Sequence, residues 1–170
     1  NYSLGNIWND KNLKDKDYKN LNSFFWLFSL DLRSSKKDTQ NIILQWIERN
    51  QKYNNKNWEI GIIAKRIIAW ISCSNLTYDD GNLSYKEKFN SLIKKQTNHL
   101  INETEKSECI DNKMIGCAAI ILTGLTYQDK NSYLDLGLNL LKKILRFSFD
   151  NDGFPKSRNI RQLNFYLKYF

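Results

Sequence analysis

With 170 residues, 41% of them hydrophobic and 14% aromatic, the chain is long and apolar enough for one ordinary domain with its own core, and its composition is not that of a disordered chain. The formal charge of +8 favours polyanionic partners (nucleic acid, acidic polysaccharide or anionic lipid) without choosing among them, and the wealth of Lys, Asn and Ile is also what an AT-rich genome yields with no selection for binding. Three cysteines, Cys73, Cys109 and Cys117, without C-x-x-C spacing argue against a zinc site or a disulfide framework and read as buried free thiols; no apolar run approaches the roughly 18 residues of a membrane span.

Residues 1–19 are polar and lysine-rich and read as a loop-like lead-in, with Leu4, Ile7 and Trp8 as anchors. A single proline and seven glycines leave the rest free for long helices. Apolar residues at helical spacing then predict a helix over Leu21–Arg33 on Phe24, Phe25, Leu27, Phe28 and Leu32, and a second over Lys36–Asn50 on Ile42, Ile43, Trp46 and Ile47. The third, Trp58–Ser74, is apolar nearly all round and is expected to be an inner helix. A fourth runs from Tyr85 to Asn102 on Phe89, Leu92, Ile93 and Leu100. A fifth covers Ile110–Tyr127 on Met114, Cys117, Ala118, Ile121 and Leu125. The sixth, Asn131–Phe149, carries Leu134, Leu138, Leu141 and Leu145 as its apolar stripe. Asp150 to Pro155 (DNDGFP) is the clearest turn in the chain. A last helix is expected from Ser157, its N-cap, with Ile160, Leu163, Leu167 and Phe170 at helical spacing. The expected fold is all-α, an array of antiparallel hairpins over residues 20–170. A start at Asn1 rather than Met, and an end at Phe170 inside an unfinished helix, suggest a piece of a longer protein.

Three stretches carry a family resemblance. They are Trp58 to Trp70 (WEIGIIAKRIIAW), Gln96 to Leu100 (QTNHL) with the following helix from Met114 to Leu125, and Asn151 to Asn159 (NDGFPKSRN). In order and spacing, over about residues 22–170, they resemble the heparinase II/III-like polysaccharide lyases: a helix opened and closed by Trp, an Asn-His pair on a helix, and a turn leading to Ser-Arg-Asn. The resemblance implies an incomplete α/α toroid whose inner helices line a groove, completed in the family by a C-terminal β-sandwich of which nothing is present in this sequence. It also implies β-elimination on a uronate-containing acidic polysaccharide and a periplasmic or cell-envelope location. No nucleic acid is expected as partner, no residue argues for a metal or other cofactor, and the oligomeric state is left open.

The chemistry of such a reaction defines the residues to look for. A uronate lyase removes the C5 proton and expels the C4 oxygen, and that proton is weakly acidic while the neighbouring carboxylate bears its charge. Donors must neutralise the carboxylate, a base must take the proton and an acid must protonate the leaving oxygen. Asn98 and His99 match the family's carboxylate-neutralising pair, although His99, seven residues after Leu92, also fits a hydrogen-bonded core histidine. Arg66, inside an almost wholly apolar helix, needs a buried partner, which either a structural carboxylate or a substrate carboxylate would supply. Arg158 and Asn159 follow the turn at a helix start, where sugar binding and simple capping are both open. Trp26, Trp46, Trp58 and Trp70 suit a core better than sugar stacking.

The sequence departs from the family at one point. Many members place a catalytic Tyr shortly after the Arg of the third stretch; Gln162 occupies that region here, and Tyr166 lies a helical turn further on. The alternatives are therefore a relative that binds acidic glycans or handles cell-surface sugars without elimination, and a helical adaptor or nucleic-acid-binding domain.

Overall fold

A computed structural model describes residues 8, 13–31, 35–127 and 131–169. All the described regular structure is helical, in two compact units, residues 1–96 and 97–170. No helix is long and apolar enough to cross a membrane among the described residues.

In the first unit α1 (Asp15–Ser23) begins within the 1–19 segment expected to be a loop and runs past its end. The expected helix over Leu21–Arg33 does not form as one element. Phe24 takes a left-handed conformation (φ 55°), ending α1, and a 3-10 segment, Phe25–Ser29, follows; Leu32 and Arg33 lie outside the described residues, as do Leu4 and Ile7. A left-handed non-glycine backbone is unfavourable in itself. Here it puts the Phe24 ring wholly out of solvent, edge-on to Trp46 and Trp70 with ring centres 5.8 and 5.1 Å away. Periodicity alone cannot report that trade.

α2 (Lys36–Asn50) forms as expected, capped by Ser35 Oγ accepting from the Asp38 amide, with Ile43, Trp46 and Ile47 buried. α3 (Ile60–Ser72) is the inner helix: Ile62, Ile63, Ala64, Ile67, Ile68, Ala69 and Trp70 are buried. Trp70 stacks on Phe89. Each of the buried isoleucines contributes about 1.5–3 kcal/mol by burial. A short α4 (Ser74–Thr77) follows. The Tyr85 hydroxyl donates to the Thr77 carbonyl at 2.6 Å, and Thr77 Oγ1 to the Trp70 carbonyl at 2.6 Å, pinning the start of α5 (Leu83–Glu103) to the end of α3.

The second unit comprises the end of α5 together with α6 (Ile110–Thr126), α7 (Asn131–Ser148) and α8 (Ile160–Leu167). α6 and α7 form an antiparallel hairpin, since contacts step down one helix as they step up the other. Gly124 meets Leu134, Gly137 meets Ile120 and Ile121, and Cys117 Sγ donates to the Gly137 carbonyl at 3.1 Å. At the far end Met114, Cys117, Ile144 and Tyr166 form a core with Ile121, Leu140, Leu141, Phe149 and Phe165 around them. Burial pushes the Cys117 thiol up to about 12.

Five further expectations are corrected here. Cys109 is exposed, so only Cys73 and Cys117 are buried thiols. Leu138 and Leu145 of the expected α7 stripe are exposed, because α6 covers the neighbouring face that bears Tyr133, Gly137 and Ile144. Leu125 of the α6 stripe is exposed, and so are Ile160 and Leu167 of the α8 stripe. The last helix starts at Ile160 with Asn159, not Ser157, as its N-cap.

Candidate functional site

Asn98 and His99 lie on α5 in the second unit, Asn98 exposed and His99 half-buried. Their placement follows from the residues beside them. Thr97, wholly buried, meets Thr123 of α6, Oγ1 to Oγ1 at 3.2 Å, and Leu100 is wholly buried. With positions 93, 96, 97 and 100 all turned inward, the helix leaves position 98 toward solvent and 99 at the margin. The Asn98 Oδ1 accepts a hydrogen bond from the Tyr133 hydroxyl of α7 at 2.7 Å. Glu103 stands one turn after His99. Its carboxyl is held below the usual value chiefly by a hydrogen bond from Lys106, with His99 adding attraction.

Tyr133 is the member of this group that sequence reasoning missed. The expected stripe on α7 ran from Leu134 and did not include Tyr133; Leu134 and Leu141 do pack into the hairpin, and Tyr133 is buried as well. A polar-tipped Tyr at the head of a Tyr133, Gly137, Ile144 face was the available signal.

Arg66 belongs to the first unit and is fully buried. Its Nε donates to the Asn22 carbonyl at 2.8 Å and its Nη2 to the Asn57 carbonyl at 3.1 Å, and the guanidinium stacks 3.8 Å from the centre of the Trp46 ring. Trp46 Nε1 in turn donates to Asn22 Oδ1 at 2.8 Å. Burial pushes the Arg66 pKa well below the ordinary guanidinium value. Neither carboxylate left open by the sequence is the observed partner: two backbone carbonyls and an indole face hold the group, and Nη1 is buried with no hydrogen-bond partner among the described residues. Trp46, Trp58 and Trp70 are buried as well, so they are core residues rather than sugar platforms.

Arg158 and Asn159 occupy the other end of the second unit from Asn98. The turn before them is tightly built. Asp150 Oδ1 accepts from the amides of Asp152 (3.1 Å) and Phe154 (2.9 Å), Gly153 takes φ 81°, and Phe149 bridges to Pro155. Arg158, itself at φ 55°, pairs with Asp150 at 2.8 Å. Asn159 Oδ1 accepts from the Arg161 amide at 3.0 Å, so the capping role is the one observed. Tyr133 opens α7 while Asp150 follows its end. At roughly 1.5 Å of rise per helical residue, Asn98 and Arg158 stand on the order of 20 Å apart. The structure thus joins Tyr133 to Asn98, beside which His99 follows on α5, and leaves Arg158 and Asn159 outside that group.

Gln162, in the region where the family pattern has a Tyr, is occupied too. It donates to Asp111 Oδ1 at 3.1 Å and accepts from Ser157 Oγ at 2.6 Å, while the Tyr166 hydroxyl donates to the same Asp111 oxygen at 3.0 Å. Burial first, and then the Asp111 contact, raise the Tyr166 pKa. These bonds dock α8 against the first turn of α6.

Comparison with protein families, curated proteins and solved structures found no match to this chain.

Proposed function

We propose that this chain is part of a polysaccharide lyase-like protein acting by β-elimination on uronate-containing acidic polysaccharide, with its helical hairpins forming part of an incomplete α/α toroid. The observation that carries the reading is the pair on α5: a solvent-exposed Asn98 amide beside a half-buried His99, with a phenol on the amide oxygen. An amide N–H pair and an imidazole are donors suited to a sugar carboxylate. Neutralising that carboxylate lowers the cost of removing the adjacent C5 proton. The formal charge of +8 supports attraction of an acidic polymer, and that attraction should weaken with salt. Arg66 has no part in this site, and Arg158 and Asn159 contribute at most to a more distant portion of the polymer. A periplasmic or cell-envelope setting goes with that substrate.

One observation favours a second reading, acidic-glycan binding without elimination. Gln162 stands in for the family Tyr, and its side chain is already committed to Asp111 and Ser157, so the α8 region supplies no base. Assay of the full-length protein on a panel of uronate polysaccharides separates the two. New ultraviolet absorbance from the unsaturated uronate product is the expected result for a lyase. Binding with no absorbance on any polymer leaves the glycan-binding reading, and neither binding nor absorbance overturns both.

A further inference from the structure

The structure assigns to Tyr133 a positioning role: its hydroxyl fixes the Asn98 side chain with Oδ1 turned toward the protein, so that the Nδ2 donors face a uronate carboxylate. This rests on the reading of Asn98 and His99 as a carboxylate site. An exposed Asn on a helix can present either end of its amide to a ligand. One end donates and attracts a carboxylate; the other is a carbonyl oxygen and repels it. The Tyr133 hydroxyl donates to Oδ1 at 2.7 Å, while Nδ2 donates to no acceptor among the described residues. A phenol hydroxyl can also accept, so turning the amide over costs the reorientation of that hydroxyl rather than a whole hydrogen bond, and the bias between the two orientations is about threefold.

The two partners are held by adjacent residues of one helix. Thr123 of α6 meets Thr97, next to Asn98 on α5. Gly124 of α6 packs so closely on Leu134, next to Tyr133, that an added Cβ would stand 2.5 Å from the Leu134 nitrogen. Tyr133 itself is buried. The phenol and the amide therefore keep their separation without needing a ligand to draw them together, which is the condition for a preorganised donor.

The test uses the whole 170-residue chain, nitrogen-15 labelled, as wild type, Tyr133→Phe and Asn98→Ala. Oligomers of galacturonate, mannuronate and glucuronate are the probes, with neutral oligomers of the parent sugars as controls. Tyr133→Phe keeps the ring and its packing, and a retained amide spectrum confirms the fold. Two results are expected of this variant: a shift of the Asn98 side-chain amide resonances in the free protein, and a loss of affinity of at most about twofold for charged but not neutral oligomers. Uronate binding lost in Asn98→Ala but unchanged in Tyr133→Phe would overturn the positioning role alone. So would Asn98 side-chain resonances that ignore the Tyr133 substitution. Oligouronates that leave the wild-type Asn98 and His99 signals unmoved would overturn the carboxylate site, and this inference with it.

Discussion

Arg66 and Asp150 are charged residues in opposite circumstances, and each fixes a local structure for a different physical reason. Arg66 is sealed, and its guanidinium spans two backbone carbonyls. Truncation to Ala removes the fork, opens a cavity and strips both carbonyls, and is expected to cost about 3–5 kcal/mol. Arg66→Met fills the volume but not the hydrogen bonds and should cost less, about 2 kcal/mol. Urea unfolding of the two variants checks the order; an Ala variant within about 0.5 kcal/mol of wild type would contradict it. Asp150 is stabilised in its ionised form mainly by the Phe154 amide and then by the Arg158 charge, and its pKa lies below the ordinary value. A depressed carboxyl contributes stability that is complete above the unfolded-state value of about 3.9 and is lost as pH falls through the folded one. The carboxyl carbon resonance of Asp150 should therefore titrate below that value, and the stability gap between wild type and Asp150→Ala should narrow with acidification. A gap that widens in acid would refute this linkage.

At the scale of elements, legibility tracked how local the determining forces are. α2 carries its own Ser35 cap and an unbroken stripe, and both of its ends could be read from the sequence. α3 was recognisable as an inner helix because nearly every side chain on it is apolar. The break at Phe24 was not legible, because it is decided by rings contributed from residues 46 and 70. The face of α7 was only half read for a similar reason: Leu134 and Leu141 of the expected stripe pack into the hairpin, whereas Leu138 and Leu145 are exposed. Leucines surround much of that helix, and the face α6 covers is selected by the small residues Gly124 and Gly137, whose fit emerges only in the hairpin. Gly124→Ala tests that fit. With the added Cβ directed at Leu134 backbone, the hairpin must part, at about 1–3 kcal/mol, and Asn98 must lose register with Tyr133. Thermal unfolding and the Asn98 amide signals report the two consequences. A variant as stable as wild type would mean that the close approach does not set the packing. The candidate site divided along the same line. Asn98 and His99 were legible as neighbours on one helix, whereas Tyr133, 35 residues away, enters only through tertiary packing.

For the whole molecule, the all-helical architecture was legible from periodicity and from the scarcity of proline and glycine. The formal charge of +8 sets a general attraction to polyanions, which by itself confers no discrimination. Discrimination, on the reading proposed, resides in the Asn98–His99 pair. The two contributions separate by mutation and by salt. Titration calorimetry of oligouronate into wild type and into the Asn98→Ala/His99→Ala double variant, each at low and at physiological salt, is the most direct measurement. The expected result is uronate affinity reduced at least about tenfold by the double substitution at both salt levels, the loss of roughly 1.4 kcal/mol or more of binding free energy. Equal affinity in the two proteins, falling with salt alike, would contradict the account and leave only a basic surface.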